Sequence, residues 1–143
     1  MENADHAIDV TQARGFDKFL GFTVSHADGD GIRGTMEITE NHLQPFGLTH
    51  GGVYCALAES AASISGFCWL QETGIGGTAV GANNSTDFLR SATSGTLSVS
   101  TTPIHRGRRQ QLWQIDITGD DGKLVAQSRV RLQNIPMPTL PAE

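Results

Sequence analysis

Residues 50–70 read HGGVYCALAESAASISGFCWL. The run is small, apolar and uncharged apart from Glu59. Val53, Ala56, Leu57, Ser60, Ala61, Ile64 and Cys68 recur at helical spacing, which predicts a helix with a wide apolar face. Its Ala, Ser and Gly content suits close packing against another backbone. No Lys or Arg stands three or four residues from Glu59, where a helical ion pair would form; Cys55, Ala56, Ala62 and Ser63 stand there instead.

Gly51 and Gly52 open this helix directly after His50. A helix N-terminus presents free N–H groups and partial positive charge. With no side chains at the first two positions, a carbonyl oxygen could reach those groups and be polarised, and an oxyanion stabilised. From Gly51 to Glu59 the rise is about 12 Å. Glu59 therefore stands too far along its own helix to act on a carbonyl held at Gly51. A Glu59 from a second, antiparallel copy of the helix could reach it, which predicts a dimer with shared sites. The plainer reading makes Glu59 a solvent-exposed residue and Gly-Gly a tight turn.

The 143 residues suit one compact domain over 1–143, with loose tails at 1–13 and 136–143. A net charge of −5 argues against a nucleic-acid partner, which calls for a basic face. Cys55 and Cys68 lie about 20 Å apart on one helix and cannot bridge each other, so they are expected as buried free thiols in a reducing compartment. With no CxxC and no His pair, no metal site is expected. No basic segment leads into an N-terminal apolar run, so no signal peptide is expected. The run at 51–70 could span a bilayer by length, but Glu59, its serines and its glycines argue against a membrane span. The expected setting is cytoplasmic.

Around the helix the pattern is that of strands. Residues 14–20 predict a short helical turn with Phe16, Phe19 and Leu20 inward. Strands are expected at 21–27 and 32–39, joined by the DGDG turn at 28–31. A loop at 40–49 carries Gln44, which could fold back over the helix start or be a plain surface amide. After a glycine-rich exit at 71–77 come strands at 78–90, 96–105, 110–118 and 123–133. Trp113, Ile115 and Ile117 share one face; so do Leu124, Ala126, Ser128, Val130 and Leu132. This order predicts an α+β fold, a six-stranded antiparallel sheet curled around one long central helix. Its open edges invite edge-to-edge pairing of two copies, which would set two helices side by side.

Arg106, Arg108 and Arg109 crowd around Gly107 at a hairpin tip, and Arg90 ends a neighbouring strand. Guanidinium groups suit phosphate oxygens, so the cluster reads as a clamp for a phosphorylated ligand, or as a solvated tip guarding an edge. With an acyl-handling helix start, coenzyme A is the economical ligand.

HLQPFGLTHGGVYCALAES, together with VGANNSTDFLR and HRGRRQQLW, resembles the hotdog-fold acyl-CoA thioesterases of the PaaI type. The resemblance runs from about Phe19 to Gln133 and points to the branch that includes the Arthrobacter-type 4-hydroxybenzoyl-CoA thioesterase. It implies that Glu59 is the catalytic carboxylate, as nucleophile or as general base on water. Gly51 would supply the N–H that polarises the thioester carbonyl, with Gly52 beside it. His50 and Gln44 would orient the thioester and the leaving thiolate. Ser63 would bind substrate or position water, and Arg90, Arg108 and Arg109 would hold the CoA phosphates. It also implies a homodimer with shared sites, paired into a homotetramer, and no cofactor beyond the CoA of the substrate. Gly81 departs from the pattern, standing where some members place a site Ser, a contribution lost here. The expected function is hydrolysis of a small acyl- or aroyl-CoA; the alternative is a non-hydrolytic CoA-ester-binding hotdog protein. Phe46, Tyr54, Phe67 and Trp69 are candidates for the acyl pocket, or for core.

Overall fold

A computed structural model describes residues 8–139. The expected tails fall partly outside that range. Six strands make one antiparallel sheet: β1 (Thr23–Asp28), β2 (Gly31–Glu37), β3 (Thr78–Phe88), β4 (Thr96–Arg106), β5 (Gln110–Thr118) and β6 (Leu124–Ile135). Their order across the sheet is β1-β2-β4-β5-β6-β3. A short helix, α1 (Gly15–Leu20), precedes the sheet, and a single turn of 3-10 helix (Glu40–His42) sits in the loop that the sequence reads as irregular. The long helix α2 (Gly51–Glu72) follows β2, and the chain then crosses to the far edge to lay β3 beside β6. This is the hotdog arrangement, a sheet curled around one helix.

Side-chain alternation explains how the sheet takes the helix. On β5, Trp113, Ile115 and Ile117 are fully buried, and Gln111 continues the same face. On β6, Ala126, Ser128, Val130 and Leu132 lie inward while Arg129 and Arg131 face out, as their period of two predicts. From α2 come Leu57, Ala58, Ala61, Ala62, Ser65, Gly66 and Leu70. The small residues let the helix lie close: a Cβ on Gly66 would stand 2.6 Å from a Leu132 methyl. The polar Gln111 is satisfied inside the core: its Oε1 accepts the Trp113 indole N–H (2.8 Å), and its amide nitrogen donates to Asn134 Oδ1 (2.8 Å). By length and composition α2 could cross a bilayer, but it is the core helix of the sheet.

Three expectations need correction. Phe16 and Phe19 do not turn inward: they are 62% and 83% exposed and stack on each other, because a six-residue helix on the rim buries one face and Leu20 takes it. Cys55 and Cys68 are half-buried, not buried, since α2 is uncovered along part of its girth. Arg90 does not neighbour the arginine-rich hairpin: β3 pairs with β6 rather than with β4 or β5, and Arg90 follows its end nearest the helix start.

Candidate active site

The helix start is built by the loop before it. Gln44 N–H donates to Leu48 C=O (2.7 Å) and Gly47 N–H returns to Gln44 C=O (3.0 Å), a tight turn that needs the left-handed Gly47 at φ 84°. Thr49 is tied to Ala92 C=O through its N–H (3.0 Å) and its hydroxyl (2.6 Å). His50 N–H donates to the carbonyl of buried His42 (2.8 Å). The His42 ring accepts from Thr39 N–H at Nδ1 (2.9 Å) and donates from Nε2 to Leu20 C=O (2.7 Å), so it ties α1 to this loop.

His50 is the N-cap of α2: its Nδ1 accepts the Gly52 N–H (2.8 Å). The neutral ring therefore carries its proton on Nε2, which is left as a donor. Among the described residues the Gly51 N–H meets no acceptor. The ring of Phe88 covers Gly51 closely, since a Cβ there would stand 2.9 Å from it. Gln44 Oε1 accepts the Phe46 N–H, which turns the Gln44 amide nitrogen free to donate. Gln44, Gly51, Tyr54, Phe88 and Arg90 line one hollow of about 300 Å³. Burial pushes the Tyr54 phenol in this wall above its usual range. On the other side of the helix start, His50, Gly52, Val53 and Ala56 face a half-open cavity of about 760 Å³ also lined by Phe16, Phe19, Leu20 and Leu43.

Glu59 lies on the stripe Gly51, Cys55, Glu59, Ser63, one residue per turn, on the face of α2 that runs under β3. The carboxylate is half-buried and has a partner that the helix periodicity does not show: Asn84 Nδ2 donates to its Oε2 (3.0 Å). The other oxygen, Oε1, fills the space beside Gly81, where any Cβ would overlap it. The absent side chain at 81 is therefore not simply a lost contribution; it makes room for the Glu59 carboxylate. Ser63 is half-buried one turn beyond. Asn84 could not be found from strand alternation, because a β-bulge between Gly81 and Asn83 breaks the period.

The arginines divide. Arg90 sits in the hollow with Gly51 and Gln44, 3.7 Å from the Asp121 carboxylate. Arg106 turns away to Gly29 C=O (2.7 Å) and Asp30 (3.0 Å), so it braces the β1–β2 turn. Arg108 and Arg109 line a separate groove with His105, Gln110 and Gln133, beside the C-terminal end of α2. One protomer thus gathers Gln44, Gly51 and Arg90 on one side of the helix start and His50 and Gly52 on the other. It leaves Glu59 and Ser63 up the helix, and Arg108 and Arg109 at the far end. Of the aromatic candidates, Tyr54 lines the smaller hollow, Phe46 is 90% exposed, and Phe67 and Trp69 are half-buried against α2's surroundings.

Comparison with known proteins agrees with this architecture. The profile of the thioesterase superfamily matches residues 46–126, from the loop before α2 to the start of β6. A candidate esterase of Mycobacterium tuberculosis is 48% identical over 120 residues, covering 84% of this chain and 86% of its own. Its solved structure superposes with a TM-score of 0.82 over 87% of this chain and 98% of that one. The 1,4-dihydroxy-2-naphthoyl-CoA hydrolase of Escherichia coli is 37% identical, covering 78% and 80% of the two chains. The chain belongs to the thioesterase superfamily. It is a hotdog-fold thioester hydrolase.

Proposed function

We propose that this protein hydrolyses an aroyl- or acyl-CoA thioester to the free acid and CoA, in sites shared between two copies. The observation that carries the reading is the stripe beneath β3, with an unpartnered Gly51 N–H at one end and the Glu59 carboxylate further along. β3 is an edge strand, and it runs opposite to α2: Phe88 lies on Gly51 and Gly81 on Glu59. Antiparallel pairing of two β3 strands about residues 84–85 would set Gly81 of each copy opposite Phe88 of the other. Each Glu59 would then face the other copy's Gly51. Further pairing of dimers into a tetramer belongs to the same proposal.

In such a site the thioester oxygen accepts from Gly51 N–H, and the N-terminal partial charge of α2 stabilises the oxyanion. Glu59 from the other copy either attacks the carbonyl carbon or takes a proton from a water that does so. Collapse of the tetrahedral species expels the CoA thiolate; water supplies the acid's oxygen and the thiol's proton. His50 Nε2–H and the Gln44 amide lie near enough to the helix start to orient the thioester and the leaving sulfur. Gly52 leaves the approach open, and Ser63 would position water or substrate. Arg90 reaches phosphate on the near side. The two-fold would also bring the hairpin with Arg108 and Arg109 of the partner subunit toward that end. The cavity of about 760 Å³ beyond His50 is of a size for a bulky acyl group, and the naphthoyl-CoA hydrolase among the relatives favours an aromatic one, as in the 4-hydroxybenzoyl-CoA branch. No cofactor is called for beyond the CoA of the substrate, and the two free thiols suit a cytoplasmic setting.

The test is thiol release from benzoyl-, octanoyl- and palmitoyl-CoA, with Glu59→Ala beside the wild type. Turnover of one ester that drops by about 10³-fold or more in the variant supports the reading. Tight binding of all three with no turnover by either protein would leave a CoA-ester-binding module instead.

A further inference from the structure

We propose that Asn84 is the positioning residue for the Glu59 carboxylate, delivered to it by the β-bulge in β3. The proposal rests on the reading of Glu59 given above. In a regular strand, residues 81 and 84 would face opposite sides of the sheet. Gly81 pairs with Leu132 and Asn83 with Arg131, so Ala82 is the extra residue, and both Gly81 and Asn84 turn toward α2. They meet the two oxygens of one side chain: Oε1 lies beside Gly81, and Oε2 accepts from Asn84 Nδ2 at 3.0 Å.

The orientation of the Asn84 amide is over-determined. Its second N–H donates to the Cys55 carbonyl (3.0 Å), and its Oδ1 accepts from the Thr86 hydroxyl (2.7 Å). Thr86 has a single proton to give, so the buried Ser128 hydroxyl must donate to it (2.7 Å). The chain Ser128, Thr86, Asn84, Glu59 therefore has one direction, each member donating toward the carboxylate. A flipped amide would set Oδ1 against Cys55 C=O and Glu59 Oε2, three acceptors together. The result fixes Oε2 and leaves Oε1 over the side-chain-free Gly81 of the edge strand. Among the described residues Oε1 has no donor of its own. The amide of Asn84 is taken up by Glu59, Cys55 and Thr86, so in this proposal it acts by restricting the torsions of Glu59.

The experiment measures kcat and KM for Asn84→Ala and Asn84→Asp on whichever of benzoyl-, octanoyl- and palmitoyl-CoA the wild type turns over fastest, with Glu59→Ala and the Glu59→Ala/Asn84→Ala double variant in parallel. A hydrogen bond to a charged group is worth roughly 10- to 100-fold, so kcat in Asn84→Ala should fall by about that factor with KM within about twofold. Asn84→Asp keeps the shape and the Thr86 bond, loses both donors and adds a like charge; it should fall further, and it stands in if Asn84→Ala does not fold. The double variant should be no slower than Glu59→Ala alone. Full kcat in either Asn84 variant, with Glu59→Ala inactive, overturns the positioning role and leaves the Glu59 reading standing. A further loss in the double variant also overturns it, because Asn84 would then act on something other than Glu59. Full activity in Glu59→Ala, or no turnover of any ester by the wild type, overturns the reading of Glu59 and this proposal with it.

Discussion

β5 and β3 both cover α2, and they do so in opposite ways. β5 is central and regular; Trp113, Ile115 and Ile117 alternate without a break and are sealed from water. β3 lies at the edge, carries a bulge, and offers α2 Gly81, Asn84, Thr86 and Phe88 in place of branched aliphatics. Apolar burial drives folding in proportion to the area removed from water, so the β5 side supplies stability. The β3 side leaves polar groups half-wet and the backbone edge unpaired, which costs stability and gives the helix stripe of Gly51 and Glu59 an opening. One helix thus has a face that holds the fold and a face free for chemistry.

The largest effect that could break this division is on the open side. Glu59→Ala and Gly51→Val should each be inactive alone, the second because its side chain meets the Phe88 ring and fills the space proposed for the thioester carbonyl. If β3 pairs with β3, a mixed dimer holds one site with both native residues. Mixing the two variants with exchange of subunits should then restore about a quarter of wild-type activity, half of the dimers being mixed and half of their sites intact. Activity that stays at background would put Glu59 and Gly51 to work within one protomer, against the 12 Å or so that separates them along the axis.

A crossed pair of substitutions sharpens the same contrast. Ile115→Ala empties a fully buried site on β5 and should lower unfolding free energy by about 2–5 kcal/mol while leaving kcat within a few-fold. Phe88→Ala removes a ring that is 56% exposed on β3, and should cost under about 1 kcal/mol in urea unfolding. It should still slow turnover, because that ring walls Gly51. Were Phe88→Ala the more destabilising of the two, the edge would be structural and the division of labour wrong.

The sealed side is also the legible side. Strand 110–118 emerges with the bounds its alternation predicts, and β6 follows period two from Ala126 to Leu132, because those side chains pack on a sealed face; at its start a register shift buries Val125 and leaves Leu124, expected inward, only half-buried. The helix is legible for the same reason, extended by two residues to Glu72. Where water or a bulge intervenes, periodicity misleads. Phe16 and Phe19 look like core by type, yet no layer lies over α1 to bury them. Asn84 is silent in sequence because its face is set by Ala82 bulging out, a backbone event without a residue signature. Gln111 was open to detection, since it shares parity with Trp113; a polar residue on a sealed face needs partners, and Asn134 and the indole supply them. Within one protomer Arg90 stands apart from Arg108 and Arg109 for a topological reason, the crossing of β3 to the far side of β6.

The smallest effect concerns the end of α2 remote from the glycines. Cys68 sits there in a partly buried position; burial pushes its thiol up to about 11, and the negative charges of Glu72 and Asp28 add to the shift. In the unfolded chain a thiol ionises near roughly 8.5. Between those values the folded state keeps a proton that the unfolded state has lost. The sign follows: the stabilisation is fully present below the unfolded value and drains away as pH rises toward about 11. The wild type should therefore lose more of its urea midpoint between pH 8 and pH 10.5 than Cys68→Ala does, and its Cys68 should react sluggishly with iodoacetamide at pH 8. Equal losses in the two proteins would mean that the thiol is solvated in solution, and that the far half of α2 is as open as the half beneath β3.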